Sequence, residues 1–113
     1  MPERPAGPVV TIFRSRLRPD TAGDYQGLAD RMLELASAQP GFVDFAHFSA
    51  GDGERVSIIT FDSPESHERW RDHPEHREAQ RLGRERYYAE YSIRVCRVES
   101  ERDGQADPTA RPG

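Results

Sequence analysis

The sequence predicts a single α+β domain in which two strand–helix–strand units follow one another. Three observations carry this prediction. Four short segments read as strands, the first with clear period-two patterning, two segments between them show helical spacing, and Pro, Gly or Ser clusters punctuate the junctions. Val9 to Leu17 is rich in β-branched and aromatic residues, and its alternation puts Phe13, Ser15 and Leu17 on one face and Arg14, Arg16 and Arg18 on the other. Pro19-Asp20-Thr21 stops that strand and supplies a helix N-cap. Tyr25, Leu28, Ala29, Met32, Leu35 and Ala36 then recur at helical spacing until Gln39-Pro40-Gly41 ends the helix.

Phe42 to Phe48 reads as a strand of less regular alternation, with Val43, Phe45 and His47 opposing Phe42, Asp44, Ala46 and Phe48. Gly51-Asp52-Gly53 is a hairpin signal, and Val56 to Phe61 is the return strand. Ser63-Pro64-Glu65 combines a hydroxyl cap, a proline at the first helical position and a carboxylate at the positive end of the dipole. Pro74 breaks this helix after about two turns, a second segment runs to Tyr87, and Glu90 to Val98 is the last strand, with Ile93, Val95 and Cys96 expected to be buried. The order βαββαβ suits a four-stranded antiparallel sheet with both helices on one face, the ferredoxin-like arrangement. The uncovered face would expose aromatic and branched side chains. A homodimer is therefore expected, its two sheets packed face to face into a barrel-like core and the last strand exchanged at the edge. The domain is assigned to residues 8–102, with frayed tails at 1–7 and 103–113.

Composition bounds the chemistry. At 113 residues and a net charge of −4, one domain is expected and a dedicated nucleic-acid binder is disfavoured. All 16 basic residues are Arg; the chain has no Lys and no Asn. The missing Lys removes Schiff-base chemistry, pyridoxal phosphate anchoring and a P-loop lysine. The single Cys96 excludes an internal disulfide. With no signal-peptide pattern in MPERPAGP and no long apolar run, it points to a reducing cytoplasm and no membrane partner.

Gln39-Pro40-Gly41-Phe42, Phe61-Asp62-Ser63-Pro64-Glu65, Trp70-Arg71-Asp72-His73-Pro74-Glu75-His76 and Gly83-Arg84-Glu85-Arg86-Tyr87-Tyr88, in this order and spacing, resemble the antibiotic biosynthesis monooxygenase (ABM) family over roughly residues 8–99. The resemblance implies a dimeric ferredoxin-like protein. The activities it implies include cofactor-independent oxygenation of polycyclic phenols and quinols, and haem degradation. Oxygenation without flavin or metal requires that the substrate supply the electrons. The protein then needs a dry cavity, a proton acceptor and donors for the phenolate and peroxide, but no redox group of its own.

On this basis the expected site lies between helices and sheet, with no bound cofactor or metal and with a small aromatic substrate and O2 as partners. Trp70 and His67 lie three residues apart on one helix face. Trp70 is read as an aromatic wall or as core packing, the latter favoured; His67 is read as a base or as a solvent-facing residue. Where an oxygenase of the family has Trp, Tyr and Arg, the resemblance places Phe61, His67 and Gln80. Haem degraders of the family match at Trp70, but their iron-ligating His falls at Gln80 and their Asn near Ser15, which argues against haem. His47, between helices and sheet or in the dimer core, is a further polar contact alongside Gln80 and Ser15.

His73-Pro74-Glu75-His76 offers a metal pair, against which a His73 or Asp72 cap and a His76 on the first helical turn are preferred. Arg14, Arg16 and Arg18 either hold an acidic ligand or pair with carboxylates. Arg81, Arg84 and Arg86 read as a paired, solvated helix face, and Tyr87, Tyr88 and Tyr91 as packing with a satisfied hydroxyl. Cys96 reads as inert. A non-enzymatic, dimeric small-molecule-binding module of the same fold is the competing function, and a haem-binding protein a third.

Overall fold

A computed structural model describes residues 7–106. The order is β1 (Val9–Leu17), α1 (Ala22–Ser37), β2 (Phe42–Ser49), β3 (Arg55–Phe61), α2 (Pro64–Arg71), α3 (Pro74–Leu82), a π-helical turn (Gly83–Tyr87) and β4 (Tyr88–Arg97). The strands form one antiparallel sheet ordered β2-β3-β1-β4. This is the ferredoxin-like α+β fold expected from the patterning. The expected tails lie outside the described residues at 1–6 and 107–113; Gly7 and residues 103–106 carry no regular structure. No helix among the described residues is long and apolar enough to cross a membrane.

Register fixes which side chains share a face, because directly paired residues of an antiparallel sheet point the same way. Val9, Thr11, Phe13 and Ser15 pair with Phe61, Ile59, Ser57 and Arg55. Phe61 is fully buried in a cluster with Ala36 of α1 and Trp70 of α2, so this row faces the helices. Apolar spacing in α1 behaves as expected: Tyr25, Leu28, Ala29, Met32 and Leu35 are half-buried and Ala36 is buried. The uneven alternation of β2 has a structural cause. A bulge between Phe42 and Asp44 puts Phe42 opposite Phe61 and keeps Phe45 and His47 on the same, helix-facing side.

The other face is uncovered. Val10, Ile12, Val56 and Ile58 are half-buried there and Phe48 is 60% exposed. Two of the three arginines pair with carboxylates as one expectation had it, Arg14 with Glu54 at 2.7 Å, and Arg16 with Asp52 at 2.7 Å and Glu90 at 3.1 Å. Arg18 departs from it, its guanidinium donating to the carbonyls of Tyr88, Glu85 and Arg84.

Three local expectations need correction. Thr21 occupies the N-cap position of α1, but its hydroxyl donates to the Arg18 carbonyl at 2.7 Å and leaves the helix without a side-chain cap. β4 starts at Tyr88, two residues before Glu90, because the π-helical turn ends the preceding helix at Tyr87. Ile93 (50%), Val95 (55%) and Cys96 are exposed in the protomer, not buried. β4 is an edge strand, and the helices pack on β2, β3 and one another.

Candidate functional site

The helix-facing surface is organised around the α2–α3 junction. Ser63 caps α2 by accepting from the Ser66 amide at 3.2 Å, and the Ser66 hydroxyl in turn accepts from the Ser63 amide and donates to Asp62 Oδ1 at 2.8 Å. Gly41 closes against this corner. Its φ is +87°, and a Cβ there would lie 2.4 Å from the Ser66 Cβ, so only glycine fits. The corner aims Trp70 into the core beside Phe61, whose ring meets Phe42 edge-on at 6.0 Å.

Beyond Trp70 the chain breaks at Asp72 and restarts at Pro74. His73 Nδ1 accepts from the Glu75 amide at 3.2 Å and caps α3, as the sequence suggested. Asp72 takes hydrogen bonds from Arg71 and Arg77, which hold its carboxyl down at about 2. His76, on the first turn of α3, folds back so that its ring stacks on Trp70 at 4.2 Å with a 14° interplanar angle. Its Nδ1 lies 3.0 Å from the Trp70 carbonyl oxygen. A carbonyl only accepts, so Nδ1 carries the hydrogen and a neutral ring presents the lone pair of Nε2. Burial lowers the pKa of His76 below its ordinary 6.5, keeping the ring neutral near pH 7. The result is an imidazole in the tautomer of a general base, oriented by an aromatic wall and a main-chain oxygen.

The expected site residues are only partly gathered here. Trp70 is 4% exposed and Phe61 fully buried. Trp70 is core packing, the reading the sequence favoured for it, and Phe61, expected to line the pocket, packs in the same cluster and has no surface left for a ligand. His67 is half-buried on α2 and makes no side-chain hydrogen bond among the described residues. Burial, then Arg71, lowers its pKa. Gln80 is half-buried on α3. His47 and Ser15 stand elsewhere. His47 faces the helix side of β2, 3.1 Å from the Ser57 hydroxyl, and its pKa is lowered by burial and then by Arg55. Ser57 is four residues from Phe61 along β3, about 13 Å by strand rise, so His47 belongs to a different part of the face. Ser15 is 4% exposed between Arg55 and Tyr91.

The sequence offered His76 as one of a metal pair and, by preference, on the first helical turn, where it stands; its stacking on Trp70 was not foreseen. The signal lay in the Pro74 break, which turns the first residues of α3 back over the end of α2. Among the described residues no group of three or more His, Cys, Asp or Glu is arranged to hold a metal ion.

The helix side of β1 and β4 is more open. Tyr91 (46%), Ile93 and Val95 pair with Ser15, Phe13 and Thr11 and so face the helix layer while remaining half-exposed. Tyr88 closes one end of this strip. Its ring meets Phe13 edge-on at 5.1 Å, its hydroxyl lies 3.1 Å from that of Tyr25, and burial, then Tyr25, pushes its phenol pKa up. Gly83 makes room for it: a Cβ there would sit 2.2 Å from the Tyr88 ring.

A buried aromatic corner, an oriented imidazole and a half-exposed apolar strip are what this ferredoxin-like sheet and its helices bring to the helix side. The ABM family model, antibiotic biosynthesis monooxygenase, matches residues 8–82, and the chain belongs to that family. It is 32% identical over 98 residues to the uncharacterized protein YqjZ of Bacillus subtilis, covering 87% of this chain and 86% of that one. Among solved structures it resembles Rv0793 of Mycobacterium tuberculosis (TM-score 0.75, 23% identity, 85% of this chain and 99% of that one). It also resembles SnoaB, a cofactor-independent oxygenase of Streptomyces nogalater (TM-score 0.71, 15% identity, 85% and 97%). At these identities the structural likenesses establish the fold.

Proposed function

We propose that this protein is a cofactor-independent monooxygenase that uses O2 on a reduced aromatic substrate of the anthrone or quinol type. The observation that carries the reading is His76: stacked on Trp70, its pKa lowered by burial, with Nδ1–H spent on the Trp70 carbonyl and Nε2 making no side-chain hydrogen bond among the described residues. The α2–α3 crossover that carries it joins β3 to β4 across β1, the strands whose apolar strip offers a bed for fused rings. Deprotonating the acidic methylene of an anthrone gives an anion that reduces O2; oxygen insertion yields a quinone carbonyl, and the second oxygen atom leaves as water. Trp70 acts here as a positioning residue for His76, and His67, half-buried one turn earlier, as a second imidazole near the site. Gln80 on α3 is the nearest candidate for a polar substrate contact.

The same reading includes a cytoplasmic homodimer formed through the uncovered face that carries Phe48; light scattering showing a folded monomer at micromolar concentration would remove that part. Oxygen uptake with anthrone by metal-stripped protein tests the activity. Turnover above buffer, falling about 100-fold or more in His76→Gln, is the expected result, with His67→Ala reporting on the second imidazole. A rate equal to buffer overturns it. The full burial of Phe61 and the near-complete burial of Trp70 favour the competing reading, a non-enzymatic binding module of the same fold, and the absence of uptake would select it.

A further inference from the structure

At the hairpin end of the sheet the ion pairing is uneven, two arginines sharing three carboxylates. Asp52, Glu54 and Glu90 are all taken up by Arg14 and Arg16, with Arg14 donating to both oxygens of Glu54 from one guanidinium edge, Nε and Nη2. Arg55, the first residue of β3, is half-buried and has no hydrogen bond or ion pair among the described residues. Its guanidinium lies over the ring of Tyr25, the guanidinium carbon 5.4 Å from the ring centroid. Arg55 pairs in register with Ser15 and Ser49 and so faces the helices. Its charge reaches His47, adding to the lowering that burial causes, and the Tyr88 phenol, where it opposes the net upward shift.

Arg55 also lines a recess of about 400 Å³ with Leu17, Ala22 and Ser49, bordered by Arg16 and the Asp52 that Arg16 holds. That volume suits a small organic ligand. A guanidinium offers planar, paired N–H donors matched to a carboxylate, and the Ser49 hydroxyl adds a donor. Leu17 and Ala22 supply apolar contact. We infer that this recess binds the carboxylate of a small aromatic acid, with Arg55 as the specificity-determining residue. The aromatic body of the ligand rests on the oxygenase reading above; the carboxylate rests on Arg55 alone. Because the chain is net negative, the attraction is local and will weaken with salt.

Calorimetric titration of the intact protein with 2-naphthoate and with neutral 2-naphthamide tests this without any turnover. The acid is expected to bind about tenfold or more tighter than the amide. That preference should vanish in Arg55→Gln, persist in part in Arg55→Lys, and survive in Arg14→Gln, which removes the same charge from the opposite face. Equal binding of acid and amide, no binding of either, or an undiminished preference in Arg55→Gln overturns the inference. Displacement of naphthoate by an equal concentration of inorganic phosphate would also overturn it, since the site would then read any oxyanion. A preserved acid preference with no oxygen uptake would leave this site standing and remove only the oxygenase reading.

Discussion

The two ends of the helix-facing surface are built differently. At one end Phe61, Trp70 and Ala36 are packed to near-zero exposure, and the capped Ser63 corner and Gly41 brace them. At the other end Tyr25, Tyr88 and Phe13 are half-buried, Tyr91 is nearly half exposed, and Arg55 is left without an acid. The packed end supplies rigidity and orients one imidazole; the loose end keeps apolar surface and a free cation within reach of solvent. Tightly packed groups and groups within reach of solvent are thereby separated on one sheet, and strand rise alone puts Phe61 and Arg55 about 20 Å apart.

Substitution should expose this division. Phe61→Ala removes a fully buried ring that the surrounding side chains cannot replace, and urea unfolding is expected to show a loss of about 3–5 kcal/mol. Gly41→Ala forces a side chain into a left-handed position and against Ser66; about 1–3 kcal/mol should be lost. At the loose end Tyr91→Ala should cost less than about 1 kcal/mol while weakening ligand binding. If Tyr91→Ala proved as damaging as Phe61→Ala, the two ends would not differ as described.

Much of the fold was legible in the sequence because its signals are local. The β1 alternation that separated Phe13 and Ser15 from Arg14 and Arg16, the Ser63-Pro64 start and the Pro74 break each depend on a few adjacent residues, and each reappears in the structure. Misreadings came where a distant partner decides. Nothing near Ile93, Val95 and Cys96 in sequence announces that the helices leave β4 bare. The bulge at Phe42–Asp44 is set by pairing with β3. The site was less legible still. The Trp70–His67 spacing was visible, but the stacking of His76 on Trp70 depends on how α3 folds back, and the isolation of Arg55 appears only once Arg14 and Arg16 have claimed the carboxylates around them.

The claim on which the functional account depends is the protonation state of His76. Its depressed pKa means that the folded protein binds this proton less readily than the unfolded chain. The stability it contributes is therefore fully present above about pH 6.5 and is lost as pH falls through the lower folded value. The same protonation removes the base, so oxygen uptake should fall over that acid range. Nitrogen-15 NMR of the imidazole rings measures this directly. A His76 midpoint below 6.5 is expected, with hydrogen on Nδ1 and a bare Nε2 at pH 7. A midpoint at or above the ordinary value, or hydrogen on Nε2 at neutral pH, would contradict it.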